Sequence, residues 1–305
     1  MTYRVLGLTA GSTGGSAEIV LKCALQEAQA AGADVELIRL NELDIRPEWL
    51  APGTTDDVAW LWEHYVEADG IVIASPIMSR TVAAKLKVVA DRMLGPNADA
   101  AMIEHLTALR AAGTEPKVSF RVDERVLKPR VAGFLAVGGA LTTQWRALAL
   151  PIMHTLTLSM QIAVVDQVVI GGAGTPQSIV LDDAALERAC QLGRNVAGQL
   201  GVPFDDATYL GDPGLCPMCH LDLVILHGTD VECGTCGARG SLGDAGAVTW
   251  TDLDASVMSM AEKRDHVREI QDTAAKQNAR RAEIDAKASL FTGFDPVVTP
   301  RREQA

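Results

Sequence analysis

The first two hundred residues alternate short apolar, β-branched runs with longer segments in which apolar residues recur at helical spacing. Such alternation predicts a parallel sheet with crossover helices. Strands are predicted at residues 3–8, 35–40, 70–74, 131–137 and 163–170. Helices are predicted at residues 17–31, 56–68, 82–93, 142–160 and 182–200. Five strand–helix pairs indicate an open, doubly wound α/β sheet of flavodoxin-like size, in which ligands bind beyond the carboxyl ends of the strands.

The predicted α/β domain covers residues 1–203, with a polar insert punctuated by Gly and Pro at about 95–130. We expect this insert to form a lid or an oligomer contact. A cysteine-containing module follows at about 211–250, then a long polar helix at about 254–290 and a tail at 291–305 without a periodic pattern. Because the helix has only a thin apolar stripe, we expect it to lie across a partner subunit or across its own chain.

Charge and composition exclude several classes of partner. The formal net charge is −12, and the resulting field repels phosphate, which argues against binding to nucleic acid or to an anionic membrane. The most apolar long stretch, residues 148–170, is interrupted by polar residues and lacks the uninterrupted length of a bilayer span. The first ten residues form a predicted strand rather than a secretory leader. We therefore expect a cytoplasmic protein.

The strongest motif is a pair of CxxC sequences. Cys216 and Cys219 form the first, Cys233 and Cys236 form the second, and thirteen residues separate the two. Such turns direct two thiolates at one ion, so the four cysteines predict a tetrahedral metal site. Tetrathiolate coordination suits zinc or a single iron. We favour structural zinc in a small ribbon, because the ion supplies folding free energy that so small a core lacks. The Cys-Pro-x-Cys turn also resembles rubredoxin, which keeps iron as the alternative.

The loop after the first strand is a candidate anion site. Residues 11–16 read Gly-Ser-Thr-Gly-Gly-Ser and run directly into a predicted helix. Small residues let the backbone approach a ligand closely, hydroxyls donate, and amides at a helix N-terminus point at an anion. The spacing matches neither the dinucleotide-binding fingerprint nor a P-loop with its lysine. A tight turn without a ligand is the alternative.

Two further loops follow strands on the same expected edge of the sheet, one after residues 70–74 and one after residues 131–137. Together with the stretches 68–77 (ADGIVIASPI) and 86–92 (LKVVADR), these loops resemble the NADPH-dependent FMN reductase family, in particular its iron–sulfur flavoprotein branch. The resemblance covers about residues 3–200.

The resemblance implies an FMN site built from the three loops. In that family the first loop wraps the FMN phosphate, the second borders the isoalloxazine ring, and the third is glycine-rich. The implied FMN-binding residues are Ser12, Thr13, Gly15, Ser16, Ser75, Pro76, Ile77, Met78, Gly138 and Gly139. Family members commonly dimerise, so the resemblance also implies a homodimer or a larger homo-oligomer.

The chain departs from the family pattern in three places. Small residues replace the usual basic residue of the phosphate loop, so amides and hydroxyls must carry the phosphate charge. Met78 replaces an aromatic residue and covers a ring face less specifically. Residues 47–53 contain no cysteine where the branch places its cluster, which excludes a cluster at that position.

Most other noticeable side chains are expected to be structural. They are His64, His154, Trp49, Trp60, Trp62, Cys23 and Cys190. The histidines lie within predicted helices, the tryptophans suit helix-to-sheet packing, and the two cysteines suit buried, small apolar positions. Arg80 stands beside the expected ring site, where it either binds a nicotinamide phosphate or faces solvent. His220 follows a CxxC turn, but four sulfurs already complete the site.

These features predict an FMN-dependent NAD(P)H oxidoreductase. Reducing equivalents would pass from the nicotinamide through the flavin to a small acceptor such as a quinone, a nitroaromatic or free flavin. No catalytic acid or base is identified, because the cofactor performs the chemistry. The alternative is an electron-transfer flavoprotein with a rubredoxin-like iron that serves a partner protein. A third possibility is a non-catalytic adaptor that binds its partner through the ribbon and the long helix.

Overall fold

The computed structural model describes residues 2–47 and 55–298. Its main sheet contains strands β1 (Arg4–Thr9), β2 (Asp34–Arg39), β3 (Gly70–Met78), β4 (Thr81–Val82), β5 (Val131–Val137) and β6 (Ala163–Ile170). The strand order is β2-β1-β3-β5-β6 with all neighbours parallel, and β4 pairs antiparallel with the end of β3. This is the flavodoxin-like, doubly wound order, so the predicted α/β fold is confirmed.

Helices cover both faces of this sheet. They are α1 (Ser16–Ala30), α2 (Val58–Glu67), α3 (Ala84–Met93), α4 (Ala100–Ala111), α5 (Ala149–Met153) and α6 (Asp183–Ala197). The helices α1 and α6 bury their apolar residues on one face, and α2 to α5 bury theirs on the other. Because both faces are covered, β3, β5 and β6 consist almost entirely of apolar residues rather than alternating with polar ones.

The helices α1 and α6 approach each other closely. A Cβ on Gly193 would lie 2.2 Å from the carbonyl oxygen of Ala24, so only glycine permits this spacing. Cys23 and Cys190 meet at the same crossing, where burial and the neighbouring thiol raise the pKa of Cys23 to about 11. The prediction that both thiols are buried is wrong, because each is only partly buried and they adjoin each other.

The prediction of one continuous helix over residues 142–160 is also wrong. That segment contains a 3₁₀ turn (Thr143–Trp145), the short helix α5 and a second 3₁₀ turn (His154–Leu156). Pro151 has no N–H and fits an α-helix only in its first turn, so the helix begins at Ala149. The residues before it form an exposed loop at the carboxyl edge of the sheet.

The insert at 95–130 packs on the core and is tied to the end of α2 by one arginine. Its helix α4 buries Ile103 and Leu106 in the core. Arg130 is the last residue of the insert, is fully buried, and donates hydrogen bonds to backbone carbonyls. The accepting carbonyls belong to Val66, Ala68, Arg125, Val126 and Lys128. Burial lowers the pKa of Arg130 to about 10. Five carbonyls from the end of α2 and from the insert thus converge on one guanidinium.

The cysteine module forms a second, antiparallel sheet. Its strands are β7 (Val224–His227), β8 (Asp230–Cys233), β9 (Arg239–Leu242) and β10 (Val248–Asp252), in the order β10-β9-β8-β7. The Gln167 side chain on β6 donates to the carbonyl oxygen of Cys219 at 2.7 Å and lies 3.0 Å from Nε2 of His154. Burial lowers the pKa of His154 to about 4. The module therefore docks on β6 through buried polar groups.

The chain folds into two compact units, Met1–Lys263 and Arg264–Ala305. The long helix predicted at 254–290 is divided in two, as α7 (Met260–Asn278) and α8 (Arg281–Ala288). α7 begins at Met260 because the Ser259 hydroxyl accepts a hydrogen bond from the N–H of Glu262 and caps the helix. Within the described residues, none of the helices has the length and apolarity to cross a lipid bilayer.

Candidate functional site

The three predicted loops lie together at the carboxyl edge of the main sheet. Gly11, after β1, lies against Pro76 at the end of β3: a Cβ on Gly11 would be 3.5 Å from the proline ring. Gly138, after β5, lies against Ile77, where a Cβ would be 3.1 Å from the isoleucine side chain. The ends of β1, β3 and β5 thus form one continuous surface.

A fourth loop, absent from the sequence-based expectations, completes this edge. It follows β6 and reads Gly-Gly-Ala-Gly-Thr-Pro-Gln over residues 171–177. A Cβ on Gly139 would lie 3.2 Å from Cα of Gly174, and Gln177 donates from Nε2 to the carbonyl oxygen of Gly14 at 3.2 Å. A glycine-rich run directly after a predicted strand was the available signal for this loop.

The first loop presents free donors at the start of α1. Gly14 has a positive φ of 69°, and the N–H of Gly15 donates to the carbonyl oxygen of Ser12 at 2.8 Å, which closes a tight turn. The first amides of a helix have no intrahelical acceptor. In the described part of the chain, no other acceptor reaches the amides of Ser16 and Ala17. Their N–H groups are therefore available to an anion.

A buried carboxylate lies beneath this loop. Glu18 is fully buried and accepts hydrogen bonds from Arg39 at 2.8 and 3.0 Å and from the N–H of Gly14 at 3.2 Å. Lys22 lies 2.6 Å away. These groups, Arg39 first, lower the pKa of Glu18 to about 2. The cations of Arg39 and Lys22 are thus paired with Glu18, which leaves amides and hydroxyls of the loop as the donors for a bound anion.

The second loop is a tight hairpin between β3 and β4. Ser79 and Arg80 form its two-residue turn with positive φ values of 49° and 76°, a conformation that is uncommon outside glycine and asparagine. Ser75 is fully buried, and its hydroxyl accepts from the N–H of Ala83 at 3.0 Å, so it braces the hairpin from inside. Met78 is 57% exposed at the hairpin end.

A cleft of about 210 Å³ opens between the second and third loops. Its lining residues are Ile77, Ser79, Arg80, Gly138, Gly139, Ala140, Trp145 and Arg146. These residues include no carboxylate, histidine or thiol. The cleft therefore offers positive charge, one aromatic ring and a glycine-rich wall, without an acid or base for proton transfer.

The four cysteines of the module converge as predicted. Their Sγ atoms all lie within 4.8 Å of one another, and each residue is almost completely buried. Cys216 and Cys236 have their Sγ atoms 3.6 Å apart, and Cys219 and Cys233 have theirs 3.5 Å apart. A tetrahedron with metal–sulfur bonds of about 2.3 Å has sulfur–sulfur edges of about 3.8 Å. The donor set thus fits one tetrahedral, closed metal site.

Comparison with known proteins gives the family that the sequence resemblance implied. A model of the NADPH-dependent FMN reductase family matches residues 3–175. The curated flavone synthase cfoJ of Aspergillus candidus is 34% identical over 97% of this chain and 98% of its own length. The chain belongs to the NADPH-dependent FMN reductase family.

A solved flavone reductase is 27% identical to this FMN reductase family member, with a TM-score of 0.81. The match covers 98% of this chain and the whole of the flavone reductase chain. An NADH:FMN oxidoreductase covers 68% of the chain at 17% identity and a TM-score of 0.45. The family assignment and the full-length matches make the protein an FMN-dependent oxidoreductase, and the family supports NADPH as its donor.

The remaining candidate residues of this FMN reductase lie away from the four loops. His64 pairs with Glu36 at 2.7 Å on the surface, and Trp60 lies against its ring. Trp62 lies 3.3 Å from a carboxylate oxygen of Asp123. Trp49 lies outside the described residues, as do residues 48–53 of the segment at which a cluster was excluded.

Proposed function

We propose that this reductase passes reducing equivalents from NAD(P)H through FMN to a planar acceptor of the flavone class. Two proteins whose names refer to flavone chemistry match the chain over 97% and 98% of its length, so the likeness includes the cysteine module and the C-terminal helices. The full-length matches support a flavone as the reaction partner, and the one named for flavone reduction supports its role as acceptor, because the other is named for flavone synthesis.

The first loop is suited to hold the FMN phosphate. The free amides of Ser16 and Ala17 and the hydroxyl of Ser12 are the donors, and Gly15 keeps the backbone close. The Thr13 hydroxyl donates to Glu42 at 3.4 Å and would turn to the phosphate when FMN binds. Removal of a donor hydroxyl should weaken FMN binding, whereas the carboxylate of Glu18 beneath the loop should position the turn.

The second and third loops are suited to border the isoalloxazine ring. Bound FMN would supply hydride transfer. Ile77 and Met78 give an apolar edge, and Gly138 and Gly139 leave space for a flat ring to approach the backbone. Because the cleft contains no titratable acid or base, a proton added to the acceptor would come from solvent.

Reduction of a flavone is balanced by this donor. A flavone has a carbon–carbon double bond conjugated to a carbonyl, which is the bond that a hydride can reduce. One flavone, one NADPH and one proton give one flavanone and one NADP⁺, with the hydride going to carbon and the proton to the adjacent position. Quinones, nitroaromatics and free flavin are the competing acceptor classes.

An anaerobic assay separates these acceptors. Protein reconstituted with FMN is mixed with NADPH and one acceptor at a time, and the product is identified by mass spectrometry. We expect the largest kcat/KM with a flavone and a product that carries two additional hydrogens. If quinone or free flavin is reduced efficiently while no flavanone forms, the flavone proposal is wrong and the general reductase assignment stands.

For the cysteine module we propose one structural zinc ion held by Cys216, Cys219, Cys233 and Cys236. The site is closed on all sides by sulfur and its thiols are buried, as in structural sites that leave no position for substrate. Elemental analysis should give one zinc per chain and a preparation whose only visible colour is that of flavin. A red protein with one iron and a reversible one-electron couple would favour the electron-transfer alternative.

A homo-oligomer remains our expectation for this protein, on the strength of the family resemblance. Light scattering on the FMN-loaded chain measures its mass directly. A monomer at micromolar concentration would contradict this expectation and leave the flavin assignment untouched.

A further inference from the structure

The sheet of the cysteine module ends in an apolar, exposed strand. β7 is last in the order β10-β9-β8-β7, so within the described residues it pairs with a strand on one side only. Residues 223–227 read Leu-Val-Ile-Leu-His, with no acid, lysine or arginine among them. The side chains of Ile225 and Leu226 are both exposed. An exposed, apolar edge strand is a template for pairing with another strand.

The register of β7 shows which backbone groups face outward. The N–H of Gly234 donates to the carbonyl oxygen of Leu223 at 2.9 Å, so these two residues form a hydrogen-bonded pair. Such pairs alternate along an antiparallel ladder, which places Ile225 in the next one with β8. Val224 and Leu226 therefore direct their N–H and C=O groups away from the sheet. In the part of the chain that the structure describes, no backbone group outside the sheet reaches them.

The opposite edge of the same sheet is protected against pairing. In β10 the register shifts between Trp250 and Asp252, which marks a bulge, and the strand ends on that aspartate. Bulges and charged side chains prevent edge strands from pairing with other chains. β7 has a regular register along its length and carries neither feature. This difference identifies β7 as the edge that is open to a further strand.

Charge favours a second copy of this chain as the partner. Copies with a net charge of −12 repel each other over most of their surface, so they approach most readily where formal charge is absent. β7 is such a segment. Antiparallel pairing about a two-fold axis at Ile225 would place Val224 opposite Leu226 of the second copy, and Leu226 opposite Val224 of that copy. The outward backbone groups of both residues are then paired, and each apolar side chain lies opposite another.

We propose that two copies of this chain pair through β7, antiparallel about Ile225, so that the two module sheets become one continuous sheet. The inference deepens the expected homo-oligomer by naming its interface, and it is independent of the flavone acceptor. A four-residue strand gives a small contact. The dimer should therefore dissociate on dilution.

Light scattering of the FMN-loaded chain over a range of concentrations measures this equilibrium. We expect the mass to rise from one chain to two. Ile225→Asp places two carboxylates opposite each other at the axis and should raise the dissociation constant at least about tenfold. Ile270→Asp is the matched control, because Ile270 is 50% exposed and Ile225 is 46% exposed, but Ile270 lies on α7. It should change the dissociation constant less than about threefold, and FMN content per chain should be the same in all three proteins.

Disulfide cross-linking tests the register and needs only a conservative change. Residues opposite each other in a non-hydrogen-bonded pair have Cα atoms about 4.5 Å apart, within reach of a disulfide. Ile225→Cys should therefore give a covalent dimer on a non-reducing gel after addition of oxidised glutathione. Leu226→Cys would place its Cα about 8–9 Å from its copy and should give no more dimer than the unaltered chain. The thiol at 225 would lie beside Glu232, on the face of the strand away from Cys233.

The possible failures have distinct meanings. A chain that stays monomeric at every concentration overturns both this interface and the expected homo-oligomer. A dimer that Ile225→Asp does not weaken keeps the homo-oligomer and overturns the interface, as does equal cross-linking of Ile225→Cys and Leu226→Cys. If Ile225→Asp does not fold, cross-linking decides. Bound FMN in any of these cases leaves the reductase assignment in place.

Discussion

The carboxylate beneath the first loop allows a quantitative prediction. Glu18→Gln keeps the size and shape of the side chain but removes the charge that Arg39 and Lys22 face. Because Glu18 is fully buried, the two cations then lose their partner, and the amide group of glutamine presents a donor to groups that can only donate. We expect the variant to fold but to be less stable.

The magnitude follows from the pKa of Glu18, which falls from 4.5 to about 2 in the folded chain. Taken in full, this shift corresponds to about 3 kcal/mol. Solvent screens the partners, since the Arg39 and Lys22 side chains are 30% and 50% exposed, so we expect about 1–2 kcal/mol. A carboxyl group whose pKa is lower in the folded chain than in the unfolded chain stabilises the folded state at pH values above its unfolded-state pKa. The contribution is therefore complete above about pH 5 and is lost as pH falls from 4.5 towards 2.

Urea unfolding, followed by far-UV circular dichroism at pH 7 and at several values down to pH 3, measures this contribution. The unaltered chain and Glu18→Gln should differ at pH 7 and converge as pH falls. Glu42→Gln is the matched control: Glu42 approaches the same Arg39 at 3.4 Å but is 58% exposed, so its change should stay within about 0.5 kcal/mol. Equal stability of Glu18→Gln and the unaltered chain at pH 7, or a difference independent of pH, would refute the reasoning.

Three further changes test other parts of the structure. Arg130→Met should lower the free energy of unfolding by about 3 kcal/mol or more, because five carbonyls lose a buried donor. An unchanged melting temperature would contradict this role of Arg130. Gly193→Ala places a methyl group 2.2 Å from a backbone oxygen of α1 and should lower the free energy of unfolding in urea by about 2 kcal/mol or more. Gly174→Ala is the control, because open space surrounds that position, and it should lower the free energy of unfolding by less than about 1 kcal/mol. Cys233→Ser should abolish metal binding and raise the rate of amide hydrogen exchange across residues 211–258, while the amides of β1 stay protected. Unchanged exchange rates would show that the module folds without its ion.

The periodicity of apolar residues predicted correctly those strands and helices whose bounds depend only on their local sequence. The strands at 131–137 and 163–170 have the predicted bounds, because apolar runs buried on both faces and ended by glycine leave one assignment. The helix over 142–160 failed because Pro151 restricts where a helix can begin, a local constraint that an apolar pattern does not record. The long C-terminal helix was placed too early because a serine cap, and not hydrophobicity, sets its start.

The candidate site was predictable only as far as its parts are local. The loops after β1, β3 and β5 were found because strand ends and small residues mark them, and the cysteines because their spacing does. Contacts between distant residues were not: Glu18 meets Arg39 across 21 positions, and Cys23 meets Cys190 across two helices. Such pairs depend on the order of the strands, which periodicity does not specify.

The polar joint between β6 and the cysteine module has a consequence for how far the two are independent. His154 and Gln167 are buried, and Gln167 donates a hydrogen bond to the carbonyl oxygen of Cys219 in the module. A chain cut after the last helix of the main sheet would leave both side chains facing an empty or wet interface, in a layer otherwise filled with apolar groups. The flavodoxin-like half is therefore not autonomous as it stands. Separating it in the laboratory would require replacing those two residues together with the cut.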